Sequence, residues 1–175
     1  MNKLAIALSA ALSLGAASTA SAADAVINFE GQITALTCKI GVGTGVSDTL
    51  TMPTISPKAI SSAAAARQQA FELTMGTVGE TCAAGTVTLS FEDVNLDADG
   101  YLENTELPAA GGAADVRMAI RDTSGPLNLK TATLTKTIDA TGIASWPLVA
   151  SYEPTAGGTP GEGTFKSALH VSVKY

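Results

Sequence analysis

Gly163-Thr-Phe-Lys-Ser-Ala-Leu-His-Val-Ser-Val-Lys-Tyr175 carries apolar Phe165, Leu169, Val171, Val173 and Tyr175 on one parity. Lys166, His170, Ser172 and Lys174 fall on the other. Successive side chains of a strand point to opposite faces, so this alternation predicts a half-buried β-strand. A chain end frays unless something ties it down. The apolar parity therefore predicts a neighbour that covers this edge.

The same period recurs toward the N-terminus. Ala25, Ile27, Phe29, Gly31 and Ile33 alternate with Val26, Asn28, Glu30, Gln32 and Thr34. Leu36, Cys38 and Ile40 continue the apolar series one residue out of step, which predicts a bulge or kink near residues 34–35. Further strands are predicted over 49–52, 69–75, 86–94, 116–122, 127–131 and 145–152. Gly41-Val-Gly43, Gly111-Gly112, Gly157-Gly158 and Pro160-Gly161 punctuate them as turns. Residues 61–67 are Ala-rich and could form one helical turn, without amphipathic length. Short strands between turn signals predict an all-β sandwich.

Met1-Asn-Lys3, an apolar run over 4–17 and Ala20-Ser21-Ala22 have the layout of a secretory signal peptide, cleaved after residue 22. The run is too short to span a bilayer. Cleavage leaves 153 of the 175 residues, with nine basic and sixteen acidic side chains. That length suits one domain with a sizeable core. An acidic chain with scattered Lys and Arg has no electrostatic footprint for nucleic acid. It also lacks the basic amphipathic stretch of a membrane-surface binder. Cys38 and Cys82, the two cysteines of an exported chain, are expected to form one disulfide. Closing that loop stabilises the fold by about 4 kcal/mol on the chain-entropy model.

Asn95-Leu-Asp97-Ala-Asp99-Gly100-Tyr-Leu102-Glu103-Asn-Thr-Glu106 resembles a twelve-residue calcium loop. Asn95, Asp97, Asp99 and Glu106 stand at ligand positions, and glycine stands at position six. The flanks argue otherwise: a strand precedes the loop, and Pro108-Ala-Ala-Gly-Gly112 follows where an exit helix belongs. A solvated inter-strand loop is the expectation, with no metal and no cofactor. Catalysis is not expected either. The one histidine, His170, lies on the polar parity of the last strand, and no serine stands in a nucleophile-elbow context. Glu92 and Asp93 are adjacent on a strand and point to opposite faces. Trp146 is expected in the core.

The chain resembles the subunits of chaperone–usher fimbriae of Gram-negative bacteria. Four stretches carry the resemblance: Ile27-Asn-Phe29-Glu-Gly31-Gln-Ile33 before Cys38, Phe71-Glu-Leu73 before Cys82, Asp115-Val-Arg-Met-Ala-Ile120 with Asp122 and Gly125, and Gly163 and Phe165 ahead of the strand ending at Tyr175. The resemblance implies an immunoglobulin-like sandwich lacking its last strand, spanning 31–175 and preceded by a donor-strand extension over 23–30. Ala25, Ile27 and Phe29 would be the donor residues. Leu169, Val171, Val173 and Tyr175 would form the groove edge and the chaperone contact. It further implies a periplasmic chaperone, an outer-membrane usher and neighbouring pilins as partners, and a cell-surface fimbria as destination. The competing expectation is a secreted β-sandwich binding module that recognises glycan or protein, as a minor or tip subunit or a calcium-stabilised domain.

Overall fold

The alternating segments become a two-sheet sandwich in the computed structural model, which describes residues 38–62 and 64–175. β1 (Ile40–Val42) leads to α1 (Pro57–Ser62), β2 (Gln68–Met75) and β3 (Gly85–Phe91). β4 (Leu102–Glu103), β5 (Val116–Asp122) and β6 (Gly125–Pro126) follow, then β7 (Thr133–Ile138), β8 (Ala144–Pro154) and β9 (Val171–Lys174). One sheet runs β1-β2-β8-β5-β4, with β6 beside β5. The second runs β7-β3-β9. Every pairing between these strands is antiparallel.

The core follows from the parities. Leu73 and Met75 of β2, Met118 and Ile120 of β5, and Trp146, Leu148 and Ala150 of β8 turn inward from the first sheet. Val87, Leu89 and Phe91 of β3 meet them from the second, while Thr86, Thr88 and Ser90 face out. Burying one such aliphatic side chain is worth about 1.5–3 kcal/mol. A charge at Leu89, which is fully buried, would break this packing. Cys38 and Cys82 are bonded, with Cα atoms 5.2 Å apart, and both are buried in the same core. The bond ties the segment entering β1 to the loop entering β3.

Several local expectations differ from the structure: β3 ends at Phe91, short of 94, and the alternation over 163–175 forms a ladder only at Val171–Lys174. Residues 127–131 form a turn, and the strand begins at Thr133. Asn128 causes this: its side chain accepts from the Lys130 N–H at 3.0 Å, and its carbonyl accepts from Thr131 and Ala132. Such local side-chain bonding competes with a ladder. Residues 49–52 are extended but have no ladder partner among the described residues. The helical turn starts earlier than expected, at Pro57, because proline suits the first helical position. Ile60 on that turn packs against Ala113 and Val116 at one end of the sandwich. The kink expected near 34–35 and the alternation over 25–33 lie outside the described residues.

Candidate functional site: an apolar trough beside the last strand

Among the described residues, β9 pairs with β3 on one side and with nothing on the other. The Glu92 N–H donates to the His170 carbonyl at 3.0 Å, which sets the phase of this ladder. With Leu89 opposite Val173 and Phe91 opposite Val171, residues 170, 172 and 174 direct their backbone groups to β3. Val171 and Val173 therefore turn their N–H and C=O groups toward the open edge. One parity thus supplies both apolar side chains and backbone groups that no described residue takes up. That combination is a template for strand addition.

A trough of about 740 Å³ opens along this edge. Phe165, Leu169 and Val171 form one wall, and the run from Ile40 to Met52 forms the other, with Leu50 and Met52 pointing in. Phe71, Leu73, Met118, Ile120, Ala150 and Tyr152 of the first sheet make the floor. A second lobe of about 470 Å³ is lined by Ile55, Ile60, Val116 and Gly163, and shares Met52, Tyr152 and Phe165 with the first. Burial raises the Tyr152 phenol above its usual value, so that group is neutral at physiological pH. The floor is aliphatic and aromatic, suited to holding apolar side chains, while Asp48, Thr49, Lys166 and Ser167 line the walls.

The four expected edge residues divide into two pairs. Leu169 and Val171 line the trough. Val173 lies further along, opposite Leu89 and packed on the core. Tyr175 is 55% exposed, and its phenol lies 3.6 Å from the Cys38 sulfur. Because that sulfur is in a disulfide, the tyrosine hydroxyl is the donor. Ala25, Ile27 and Phe29 lie outside the described residues. Sequence reasoning missed the opposite wall and the floor. The signal for the wall was present in the alternating Leu50 and Met52.

The calcium-like loop is organised by an arginine. Asp97 accepts from the N–H groups of Asp99 and Tyr101, each at 2.9 Å, and Arg117 reaches Asp97 at 2.8 Å and Asp99 at 2.6 Å. The same guanidinium stacks 4.2 Å from the Tyr101 ring centroid. Glu106 lies apart from them, paired with Lys166 at 2.7 Å. Among the described residues, no three His, Cys, Asp or Glu side chains converge as a metal cluster would require. Burial raises the Asp97 pKa, but the bonds from Tyr101, Arg117 and Asp99 outweigh it and hold the carboxyl below its usual value. Trp146 is buried, and His170 is exposed.

Two antiparallel sheets with one strand edge open over an apolar trough define an incomplete immunoglobulin-like β-sandwich. Residues 27–175 match the family model for fimbrial protein, and the chain belongs to that family. Membership of that family makes it a structural fimbrial protein rather than an enzyme. It is 28% identical over 169 residues to the major fimbrial subunit SMF-1 of Stenotrophomonas maltophilia (strain K279a), covering 89% of this chain and 92% of that one. The fold matches the P pilus rod subunit PapA with a TM-score of 0.56 at 13% identity, over 79% of this chain and 99% of that one. A chaperone–usher pilus subunit, from a structure concerned with rod uncoiling, matches with the same TM-score and identity over 87% and 96%. A type I fimbria protein of Burkholderia pseudomallei matches with a TM-score of 0.50 at 20% identity, over 79% and 95%.

Proposed function

We propose that the trough accepts the N-terminal extension of a neighbouring subunit, so that the chain polymerises by donor-strand exchange into an adhesive cell-surface fimbria. The observation that carries this reading is the open edge of β9 above the apolar trough. Residues 23–30 of a second copy offer the matching alternation, with Ala25, Ile27 and Phe29 on the inserting face. Eight extended residues span about 26 Å. Strand addition would satisfy the free backbone groups of Val171 and Val173 and cover the apolar lining.

Before assembly, the same edge is an aggregation hazard. A periplasmic chaperone lending a strand would protect it during transit from a cleaved signal peptide, residues 1–22, to an outer-membrane usher. No metal takes part, and the loop around Asp97 serves stability.

Ile27→Asp tests the reading, because an unpaired carboxylate in an apolar trough costs several kcal/mol. The variant should be exported and captured by the chaperone yet fail to form fibres. Normal fibres from it would contradict donor-strand exchange.

A further inference from the structure

Among the described residues, the wall of the trough is held in two stretches. At residue 170 the carbonyl bonds Glu92, and β3 takes over from there. At residues 164–166 the wall is held by backbone bonds, Thr164 donating to the Gly111 carbonyl and accepting from the Ala113 N–H at 2.9 Å each, and by the side chain of Asn104. Its amide donates to the carbonyls of Ala113 at 3.0 Å and Thr164 at 2.9 Å. Its carbonyl oxygen accepts from the N–H groups of Glu106 at 3.1 Å and Lys166 at 2.9 Å. Thr105 adds its N–H and its hydroxyl to the Lys166 carbonyl, at 2.8 Å and 2.9 Å. Among the described residues, no backbone bond holds the wall between residues 166 and 170.

We propose that Asn104 is a positioning residue for the trough: it fixes the wall that carries Phe165, so that an incoming strand meets a preformed edge. The proposal rests on the donor-strand reading of the same trough. Asn104 touches three segments at once, the loop at 106, the turn at 113 and the wall at 164–166. These segments pack backbone to backbone: a Cβ on Gly112 would collide with the Glu106 carbonyl, and one on Gly163 with the backbone of Gly112 and Ala113. Gly163 also has a φ of 144°, which side-chain-bearing residues rarely adopt. Only an amide, with two donors and a two-lone-pair acceptor, satisfies all four partners. With the clip removed, the backbone bonds of Thr164 and the Thr105 bonds to Lys166 remain, and the wall loses the amide contacts at the Thr164 carbonyl and the Lys166 N–H. An arriving strand must then order a looser wall, which weakens binding and slows capture.

The test uses the full chain carrying Ile27→Asp, so that its own extension does not compete, and a synthetic peptide of residues 23–33 as the probe. Asn104→Ala should make the amides of residues 163–168 exchange with deuterium about tenfold faster, and should weaken peptide binding by about tenfold. Asn104→Asp keeps the acceptor but sets a carboxylate oxygen against the carbonyls of Ala113 and Thr164, so it should be at least as disruptive as Ala on both readouts. Asn104→Ala with wild-type exchange at 163–168, or a lower unfolding midpoint with unchanged peptide affinity, would overturn the proposal. Should Asn104→Ala not fold, Thr105→Val removes one bond to the same wall. It should show the same pattern at smaller amplitude, and no change in either readout would count against the clip. A peptide that never binds the parent chain would sink the donor-strand reading. The exchange arm, run without peptide, would still decide whether Asn104 holds the wall.

Discussion

The Phe165 ring meets Tyr152 edge to face, with centroids 5.5 Å apart and planes at 75°. One ring belongs to the wall of the trough and the other to its floor, and both line both lobes. This contact closes the sandwich beneath the open edge, at the point where the two lobes join. The T-shaped geometry adds about 0.5–1.5 kcal/mol beyond area burial.

Phe165→Ala should therefore damage both stability and acceptance. We expect about 2 kcal/mol of destabilisation, less than for a fully buried phenylalanine because Phe165 is half-buried. Denaturant unfolding reads the first effect, and titration with a peptide of residues 23–33 reads the second. Unchanged values in both would show that the aromatic junction contributes nothing.

The Cys38–Cys82 bond should be present in exported protein and needed for its stability. Replacing both residues with serine should cost about 2–5 kcal/mol, comparable with the whole stability of a small domain. Mass spectrometry of periplasmic protein should find the two thiols oxidised to each other. Free thiols, or a double variant as stable as its parent, would contradict the expectation.

Acid should loosen the loop around Asp97. Its folded pKa is held below the usual carboxylate value, so the stabilisation is fully present above the unfolded value of about 4 and is lost as pH falls through the folded value. Asp97→Asn should flatten the acid limb of the stability curve below about pH 4, while adding calcium at neutral pH should leave the unfolding midpoint in place. Equal acid limbs for the two proteins, or a calcium-dependent midpoint, would contradict the roles of Asp97 and Arg117.

Strong local alternation made much of the fold legible. Val116–Asp122 forms a strand at the bounds the sequence set, and β2 and β8 start within one residue of their expected positions. Elsewhere, chemistry of shorter range prevailed over periodicity. Leu127 and Leu129 suggested a strand, but the Asn128 turn captured their neighbours, and Leu129 is buried without joining a ladder. The trough was half legible. Leu169 and Val171 announce an edge by parity, whereas Met118, Ile120 and Tyr152 look like any core residues. Which core residues stay uncovered depends on sheet order, a non-local property. Asn104 carried no signal beyond its place in a calcium-like loop.

A polar tail should disturb the edge at the end of β9. Placing a few polar residues directly after Tyr175 crowds that end of the edge while leaving the core intact. We expect less chaperone co-purification and more periplasmic degradation or aggregation. A tailed subunit that accumulates as a folded, soluble monomer without a chaperone would instead favour a domain that needs no added strand.

Cross-linking within assembled fibres measures strand exchange most directly. A cysteine at Ile27 should lie within disulfide reach of a cysteine at Leu169 or Val171 in the neighbouring subunit, since bonded Cβ atoms stand about 3.5–4.5 Å apart. Fibres of the double variants should then run as covalent ladders after oxidation, with the ladder collapsing to monomer on reduction. Fibres that form normally and yield only monomers, or only bonds within one chain, would show that residues 23–30 do not occupy a neighbour's trough.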